Sequence, residues 1–492
     1  MTTIEVLPDD VVLDILDFCV VGDQYFPSFG NRLAIVRRNE VTKKTVEWWQ
    51  PLVHVCRRWR NIVLGSSRRL NLRLCSTLGT VTRKTLDIWP AFPLLIMNDD
   101  IIDTPVDNLT PVLEHSNRLC QIHLIRSSLT TPQIEKVWAA MQVPFPELTA
   151  LTLGSLGECP MRSPSEIVPV VPDSLLGGSA PRLRHLTFLR IPCPGLPKLL
   201  LSATQLVELH FWDIPHSAYI SPEEMVKCLS VMTNLEKLCL GFKSPQSRPH
   251  QESKRHTSPP PTRSVLLTLM SFTFKGANEY LEDLLARIDG PRLYWLWITL
   301  FNNIDFETPE LILFIGRTPT FKSPNEAHVA FDSSHAWLKL QSQASNLGKV
   351  EVNISCSEPD WQFSALEQIC TSFSPVLSGT ESLYISENLH SSSKLDWKDD
   401  IENAEWLRFL SQFTAVKSLY LSKEFVPRIG PALQELTGGR TEEVLPTLQS
   451  FFLEGFQSLE SVQEGIGQFI SGRKLTNHPI TISSWGRRRG TG

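Results

Sequence analysis

The chain lacks closely spaced cysteines. Its ten lie at 19, 56, 75, 120, 159, 193, 228, 239, 356 and 370 and never approach closer than eleven residues, so no CxxC pair offers thiolates at zinc-finger spacing. No GxSxG, phosphate-loop, GxGxxG or HExxH pattern occurs, and the histidines share no ligand spacing. These absences argue against an enzyme and against a bound metal or cofactor. A surplus of basic charge is missing as well. With a net charge of -5 and a pI near 6.2, nothing favours a polyanion, and nucleic acid is not an expected partner. No apolar run reaches the roughly 18 residues that a membrane span needs. Met1 to Asp10 carries Asp9 and Asp10 where a secretory signal would have a basic start and an apolar stretch. The expectation is a protein of cytoplasm or nucleus, without a membrane partner and with its thiols reduced.

Against these absences stand 492 residues, 42% apolar and 20% charged, a normal composition for packed soluble protein. That length exceeds what one core organises, so at least two units or one extended array are expected.

Leu7-Pro8-Asp9-Asp10 opens a helix, with proline suited to the first turn and acids that favour a helix amino terminus. Its apolar positions 11, 12, 15, 16, 18 and 19 lie on one stripe, with 9, 10, 14 and 17 opposite. A second amphipathic segment runs from about Trp48 through Leu52, Val55, Cys56 and Trp59 to Val63, with Pro51 in its first turn. Gly22 to Lys44 between them, with Pro27 and clustered charge, reads as an inserted loop holding a short helix near Arg32 to Arg38.

The pair resembles the F-box, on the strength of Leu7-Pro8, Ile15-Leu16 and Val55-Cys56-Arg57-Arg58-Trp59-Arg60. The resemblance implies docking on a Skp-type linker protein that bridges to a cullin-RING ubiquitin ligase. It places Leu7, Pro8, Ile15, Leu16, Leu52, Val55 and Trp59 on the linker-binding face. Physically, two apolar stripes on so small a helical unit have too little core to cover each other, and a partner surface would complete their burial.

Behind this unit the pattern Leu-x-x-Leu-x-Leu recurs. Clear matches are Leu148-Leu151-Leu153, Leu183-Leu186-Phe188, Leu206-Leu209-Phe211, Leu235-Leu238-Leu240, Leu293-Leu296-Ile298, Val416-Leu419-Leu421 and Leu448-Phe451-Leu453. Looser matches start at 119, 269, 326, 347 and 380. The mean step is about 30 residues, near that of leucine-rich repeats, and single steps range from 21 to 36. Helix-like stretches lie between matches, among them Thr131 to Met141, Ser221 to Met232, Asn278 to Ile288, Trp406 to Phe413 and Ser458 to Ile470. Strand, helix, parallel strand is the geometry of a right-handed solenoid.

The expected fold class is therefore α/β: an amino-terminal helical F-box at 1-66, with its inserted loop at 22-45, then an irregular leucine-rich-repeat solenoid at 67-485 with strands on the concave face. Residues 243-263 carry five Lys or Arg among prolines and read as a disordered insertion, His390 to Asp400 as a smaller polar one, and 486-492 as a basic tail. The whole resembles fungal-type F-box proteins with divergent leucine-rich repeats.

In each match the residue between the last two apolar positions points away from the core. Read in order these are His123, Thr152, Thr187, His210, Cys239, Thr273, Trp297, Ala330, Glu351, Tyr384, Tyr420 and Phe452. Aromatics on a rigid sheet are effective protein-recognition groups, which nominates Trp297, Tyr384 and Tyr420 for a protein substrate of unknown identity. The rival reading is a non-catalytic leucine-rich scaffold whose amino helices merely cap the array and which has no ubiquitin role.

Overall fold

The computed structural model describes residues 7–18, 49–76, 86, 89, 91–98, 109–125, 131–154, 170–193, 196–244, 262–301, 308–322, 324–342, 348–356, 358–387, 401–436, 440, 442–455 and 464–486. The loop expected at 22-45, the polar insertion at 390 to 400, and nearly all of the 243-263 insertion and the 486-492 tail lie outside them. The chain forms two compact units, Met1–His185 and Leu186–Gly492. The division thus falls well beyond residue 66, and the amino-terminal helices share a unit with the first strands.

Unit 1 opens with α1 (Asp9–Asp17), α2 (Gln50–Val53) and α3 (Arg57–Gly65). Strands β1 (Leu74–Ser76), β2 (Leu94–Asn98), β3 (Leu119–Ile125) and β4 (Ala150–Gly154) then pair in chain order, all parallel. Helices α4 (Thr110–Leu113) and α5 (Thr131–Ala140) connect the last three. Strand β5 (His185–Leu189) crosses the division.

Unit 2 continues with α6 (Leu196–Ser202), β6 (Glu208–Ile214), α7 (Pro222–Leu229), β7 (Lys237–Phe242), β8 (Ser264–Val265), β9 (Ser271–Gly276) and α8 (Asn278–Leu285). After β10 (Ile288–Asp289) come β11 (Trp295–Phe301), α9 (Pro309–Arg317), β12 (Glu326–Phe331), β13 (His335–Gln341) and β14 (Lys349–Ser355). The rest comprises α10 (Pro359–Ser372), α11 (Ser374–Leu377), β15 (Ser382–Glu387), α12 (Asn403–Ser411), β16 (Ser418–Leu421), α13 (Val426–Gln434), β17 (Ser450–Glu454), α14 (Glu464–Leu475) and β18 (Thr481–Trp485).

Here the sheet runs β6-β7-β9-β11-β14-β13-β12-β15-β16-β17-β18, while β8 and β10 make a separate parallel pair. The fold class is thus mixed α/β with a large, mostly parallel sheet. A strand forms at each of the twelve pattern matches. Parallel pairing is interrupted at β13, which lies outside the twelve matches and pairs antiparallel with both β12 and β14.

The sheet forms because its apolar residues alternate. Leu238 and Leu240, Phe272 and Phe274, Leu296 and Ile298, Leu419 and Leu421, and Phe451 and Leu453 are buried, while the residues between them are half-exposed. Turns before the strands repeat the same bonds: the N–H of Glu236 donates to the carbonyl of Val207, Met270 to Glu236, and Tyr294 to Met270. Thr268 Oγ1 donates to the carbonyls of Thr233 and Leu235, and Thr447 Oγ1 does the same to Thr414 and Val416. Identical bonds at different repeats keep the rungs aligned.

Helix starts follow local chemistry. Ser221 caps α7, its hydroxyl accepting the Glu224 N–H at 3.2 Å, with Pro222 in the first turn. Thr308 heads α9 without such a bond. Glu282 of α8 replaces it, accepting the N–H groups of Glu310 at 2.7 Å and Leu311 at 3.1 Å. Burial first, then the neighbouring Glu310 and Asp283, raise the Glu282 carboxyl from its ordinary 4.5 to about 7, against the opposing pull of the two N–H bonds. A carboxyl whose folded pKa is raised contributes stability that is complete below its unfolded value and lost as pH rises through its folded one. The thermal midpoint of Glu282→Gln should therefore decline less than wild type between pH 5 and pH 8; parallel curves for the two proteins would refute this account.

Candidate functional site

Two surfaces merit attention, one in each unit. On α1, Val12 and Leu16 face inward and are buried. Val11, Ile15 and Phe18 are 37%, 42% and 92% exposed and recur at i, i+4 and i+7, so they form a second apolar stripe that faces solvent. The helix is held by ions: Arg58 binds Asp9 Oδ1 through Nη2 at 2.6 Å and Nε at 3.0 Å, and its Nη2 also donates to the Leu7 carbonyl. Arg69 meets Asp14 at 2.5 Å.

The segment expected to run unbroken from Trp48 to Val63 is two helices. Cys56 is extended, with φ -157° and ψ 173°, and its Sγ accepts the Trp59 N–H at 3.4 Å as the cap of α3. Arg60 Nε bridges the break to the Val53 carbonyl at 2.9 Å. Beneath them Trp49 is fully buried, donating from Nε1 to the Arg73 carbonyl at 3.0 Å, with the rings of Trp89 and Phe92 edge-on at 5.0 and 5.4 Å.

Of the seven residues assigned to linker binding, Pro8, Ile15 and Val55 are exposed, Val55 by 58%, and Leu7, Leu52 and Trp59 are half-buried. Leu16 is buried, as is Val12, in the core of unit 1. Sequence periodicity put all apolar residues of α1 on one stripe and so missed Val11 and Phe18 as surface groups.

In unit 2 the half-exposed sheet face carries one row across the register: His210, Cys239, Thr273, Trp297, Glu351, Lys339, His328, Tyr384, Tyr420, Phe452 and Ser483. Expectation placed Ala330 in this row. Hairpin β12–β13 shifts it by one rung, and His328 stands opposite Tyr384 while Ala330 stands opposite Ser386.

The result is a ladder of stacked rings. His328 and Tyr384 lie 4.2 Å apart and 4° from parallel, Tyr384 and Tyr420 4.1 Å and 12°, and Tyr420 and Phe452 4.3 Å and 6°. Trp485 lies aslant beside them, 6.1 Å from Tyr384 and 5.7 Å from Tyr420. The structure thus brings Tyr384 and Tyr420 together. Trp297 shares their row but is separated by β14, β13 and β12, about 19 Å at the usual strand spacing. Among the described residues its buried indole Nε1 has no hydrogen-bond partner. Two further tryptophans on this face meet lysines, Trp295 with Lys349 at 5.8 Å and Trp212 with Lys275 at 5.6 Å.

Between Trp297 and the ladder lies an ionisable strip. Gln341 Nε2 donates to Glu326 Oε2 at 2.8 Å and lies 3.1 Å from His328 Nε2. His328 Nε2 also lies 3.6 Å from Glu326 Oε2, so Gln341 and His328 gather at one carboxylate oxygen. Burial, then Lys339, holds the His328 pKa below its ordinary value. Burial, then Lys349, lowers Lys339; burial raises Glu351 against the pull of Lys339; burial, then Tyr420, raises Tyr384. Ionisable groups gathered in a partly dehydrated strip between aromatic walls suit recognition of a partner.

Burial raises the Cys228 thiol to about 11 and the Cys239 thiol to about 12, the opposite of a reactive thiolate. Among the described residues no cluster of His, Cys, Asp and Glu could hold a metal ion, and no helix is long and apolar enough to cross a membrane. No family model matches the chain, and no curated protein matches it.

Tyr420 is stacked on both sides, and each such pair contributes about 0.5–1.5 kcal/mol beyond burial. Tyr420→Ala should lower unfolding stability by more than about 1 kcal/mol while Tyr420→Phe stays near wild type, as read from urea midpoints. Equal midpoints for wild type and Tyr420→Ala would show that the ladder does not stabilise the sheet.

Proposed function

We propose that the chain is a substrate-recruiting adaptor of a cullin-RING ubiquitin ligase: unit 1 docks its helical group, as an F-box, on a Skp-type linker, and the sheet face, as part of a leucine-rich-repeat solenoid, holds a protein substrate. The observation that carries this reading is the exposed stripe of Val11, Ile15 and Phe18, with exposed Val55, in the segment that bears the Leu7-Pro8 and Val55 to Arg60 motif. A monomer gains nothing from presenting Phe18 almost wholly to water. A partner helix laid along the stripe would bury it, at about 25 cal/mol for each Å² of apolar surface covered.

In this scheme the chain performs no bond-making step. Ubiquitin transfer belongs to the RING partner and its charged enzyme, and this protein contributes proximity by holding a target lysine within reach. Burial of Val12 and Leu16 and the Arg58–Asp9 and Arg69–Asp14 pairs favour the second reading, a helical cap on a scaffold with no ubiquitin role. The two separate at the exposed positions.

Ile15→Asp with Val55→Asp changes surface residues and should leave the thermal midpoint near wild type. Co-purification with the Skp-type linker should drop at least about tenfold, since each 1.4 kcal/mol of lost binding is a factor of ten. Undiminished linker binding by a folded double variant would leave only the scaffold reading. In the same cells, Trp297→Ala with Tyr384→Ala and Tyr420→Ala should lose substrate while retaining linker.

A further inference from the structure

The rim of the sheet at the amino-terminal ends of β11 and β14 is basic and aromatic, in a chain whose net charge is -5. Tyr294 and Trp295, 47% and 37% exposed, follow one another where β11 begins. Lys349 is the register partner of Trp295, and its Nζ lies 5.8 Å from the centre of the indole ring. The N–H of Lys349 donates to the Tyr294 carbonyl at 2.7 Å, that of Gly348 to the Thr320 carbonyl at 2.9 Å, and Thr320 Oγ1 to the Leu293 carbonyl. These bonds bring Lys322, just after Thr320, and Arg292, just before Leu293, to the same rim.

Arg292, Lys322 and Lys349 are exposed, and among the described residues none of them has a carboxylate within ion-pair distance. Comparable lysines elsewhere on the sheet are paired: Lys237 meets Glu208 of the neighbouring strand at 2.5 Å, and Lys417 meets Glu381 at 2.7 Å. At Lys349 the neighbouring strand supplies an indole in place of the glutamate. Glu351, two residues further along β14, stands beside the half-buried Lys339 across the register, so those two charges offset each other. Three cations therefore face solvent around two exposed rings.

Exposed rings among unpaired cations suit a ligand that is acidic and partly apolar. We infer that this rim is a docking surface for an extended acidic segment of a partner protein, whose carboxylates pair with Arg292, Lys322 and Lys349 and whose apolar side chain lies on Tyr294 and Trp295. In an extended segment alternate side chains point the same way, so acids can flank an apolar residue that faces the rings. Nucleic acid fits less well. Its phosphates would continue past the rim over Glu351, Glu236 and Glu208 in an acidic protein, whereas a short segment keeps its charge within the rim. If the adaptor reading is right, the acidic segment belongs to the recruited substrate; the rim itself rests on unit 2 alone.

The full chain is titrated without any linker protein, so the outcome is separate from that of linker co-purification. Two fluorescein-labelled nonapeptides are compared by anisotropy at about 0.15 M salt, one with acidic residues on both sides of a central leucine and one with the corresponding amides, beside a labelled oligothymidylate of equal length. The acidic peptide should bind about tenfold more tightly than the amide peptide or the oligothymidylate. Lys322→Glu with Lys349→Glu, both at exposed positions, should remove that preference without changing the thermal midpoint. Lys423→Glu with Arg440→Glu makes the same charge change at exposed positions away from the rim and should keep it. Trp295→Ala should weaken binding of the acidic peptide about fivefold. Absence of binding, equal affinity for the acidic and amide peptides, an oligothymidylate held as tightly as the acidic peptide, or equal losses in the two charge-reversed proteins would overturn the docking surface.

Discussion

Parallel, in-register pairing is the constraint on which unit 2 depends. Side chains alternate across a strand, so commitment of Leu238, Phe272, Leu296, Val350 and Leu419 to the interior commits their neighbours to the other face. A slip of one residue anywhere would exchange the two sets, placing leucines in water and Lys237 or Glu351 in the core, which the core cannot accommodate. Register is therefore strongly specified, and equivalent positions of successive strands come to lie side by side. Tyr384, Tyr420 and Phe452 stack for that reason; nothing about their separation in sequence would bring three rings within a few ångströms of one another.

The β12–β13 hairpin shows what happens where this regularity is interrupted. The stretch His335 to Gln341 alternates apolar and polar residues and is half-buried on one face like any other strand. It reverses direction because Asp332 closes a tight turn, its Oδ1 accepting the N–H groups of Ser334 and His335, both at 2.8 Å. Insertion of β13 adds Lys339 to the face row between Glu351 and His328, and half-buried charges of both signs are crowded there. Low local dielectric makes each of these groups costly unless paired, which is why Glu326, Gln341 and His328 share bonds.

Unit 1 solves a different problem. Helices as short as α1, α2 and α3 cannot bury two faces among themselves. Trp49, Val12 and Leu16 secure the inner side, and the arginines Arg58, Arg60 and Arg69 tie the pieces together through carboxylates and free carbonyls. The outer stripe of α1 remains for something else to cover. The proposed linker docking would cover it, and Ile15 belongs both to this stripe and to the quoted motif.

Much of this was readable from residue order alone. Period-two alternation after each leucine match located twelve strands, a Ser-Pro-Glu-Glu start located α7, and the alternating position named Tyr384 and Tyr420 for the exposed face, because these signals act over a few residues and need no distant partner. Tertiary structure decided the rest. Which side of α1 is core depends on what packs against it, so Leu16 turned inward while Val11 and Phe18 stayed out. Strand direction depends on which neighbour supplies the hydrogen bonds, so β13 entered antiparallel and His328, not Ala330, completed the ladder. Proximity across five strands and the partly buried strip of Lys339, Glu351 and His328 exist only once separate strands are aligned in register.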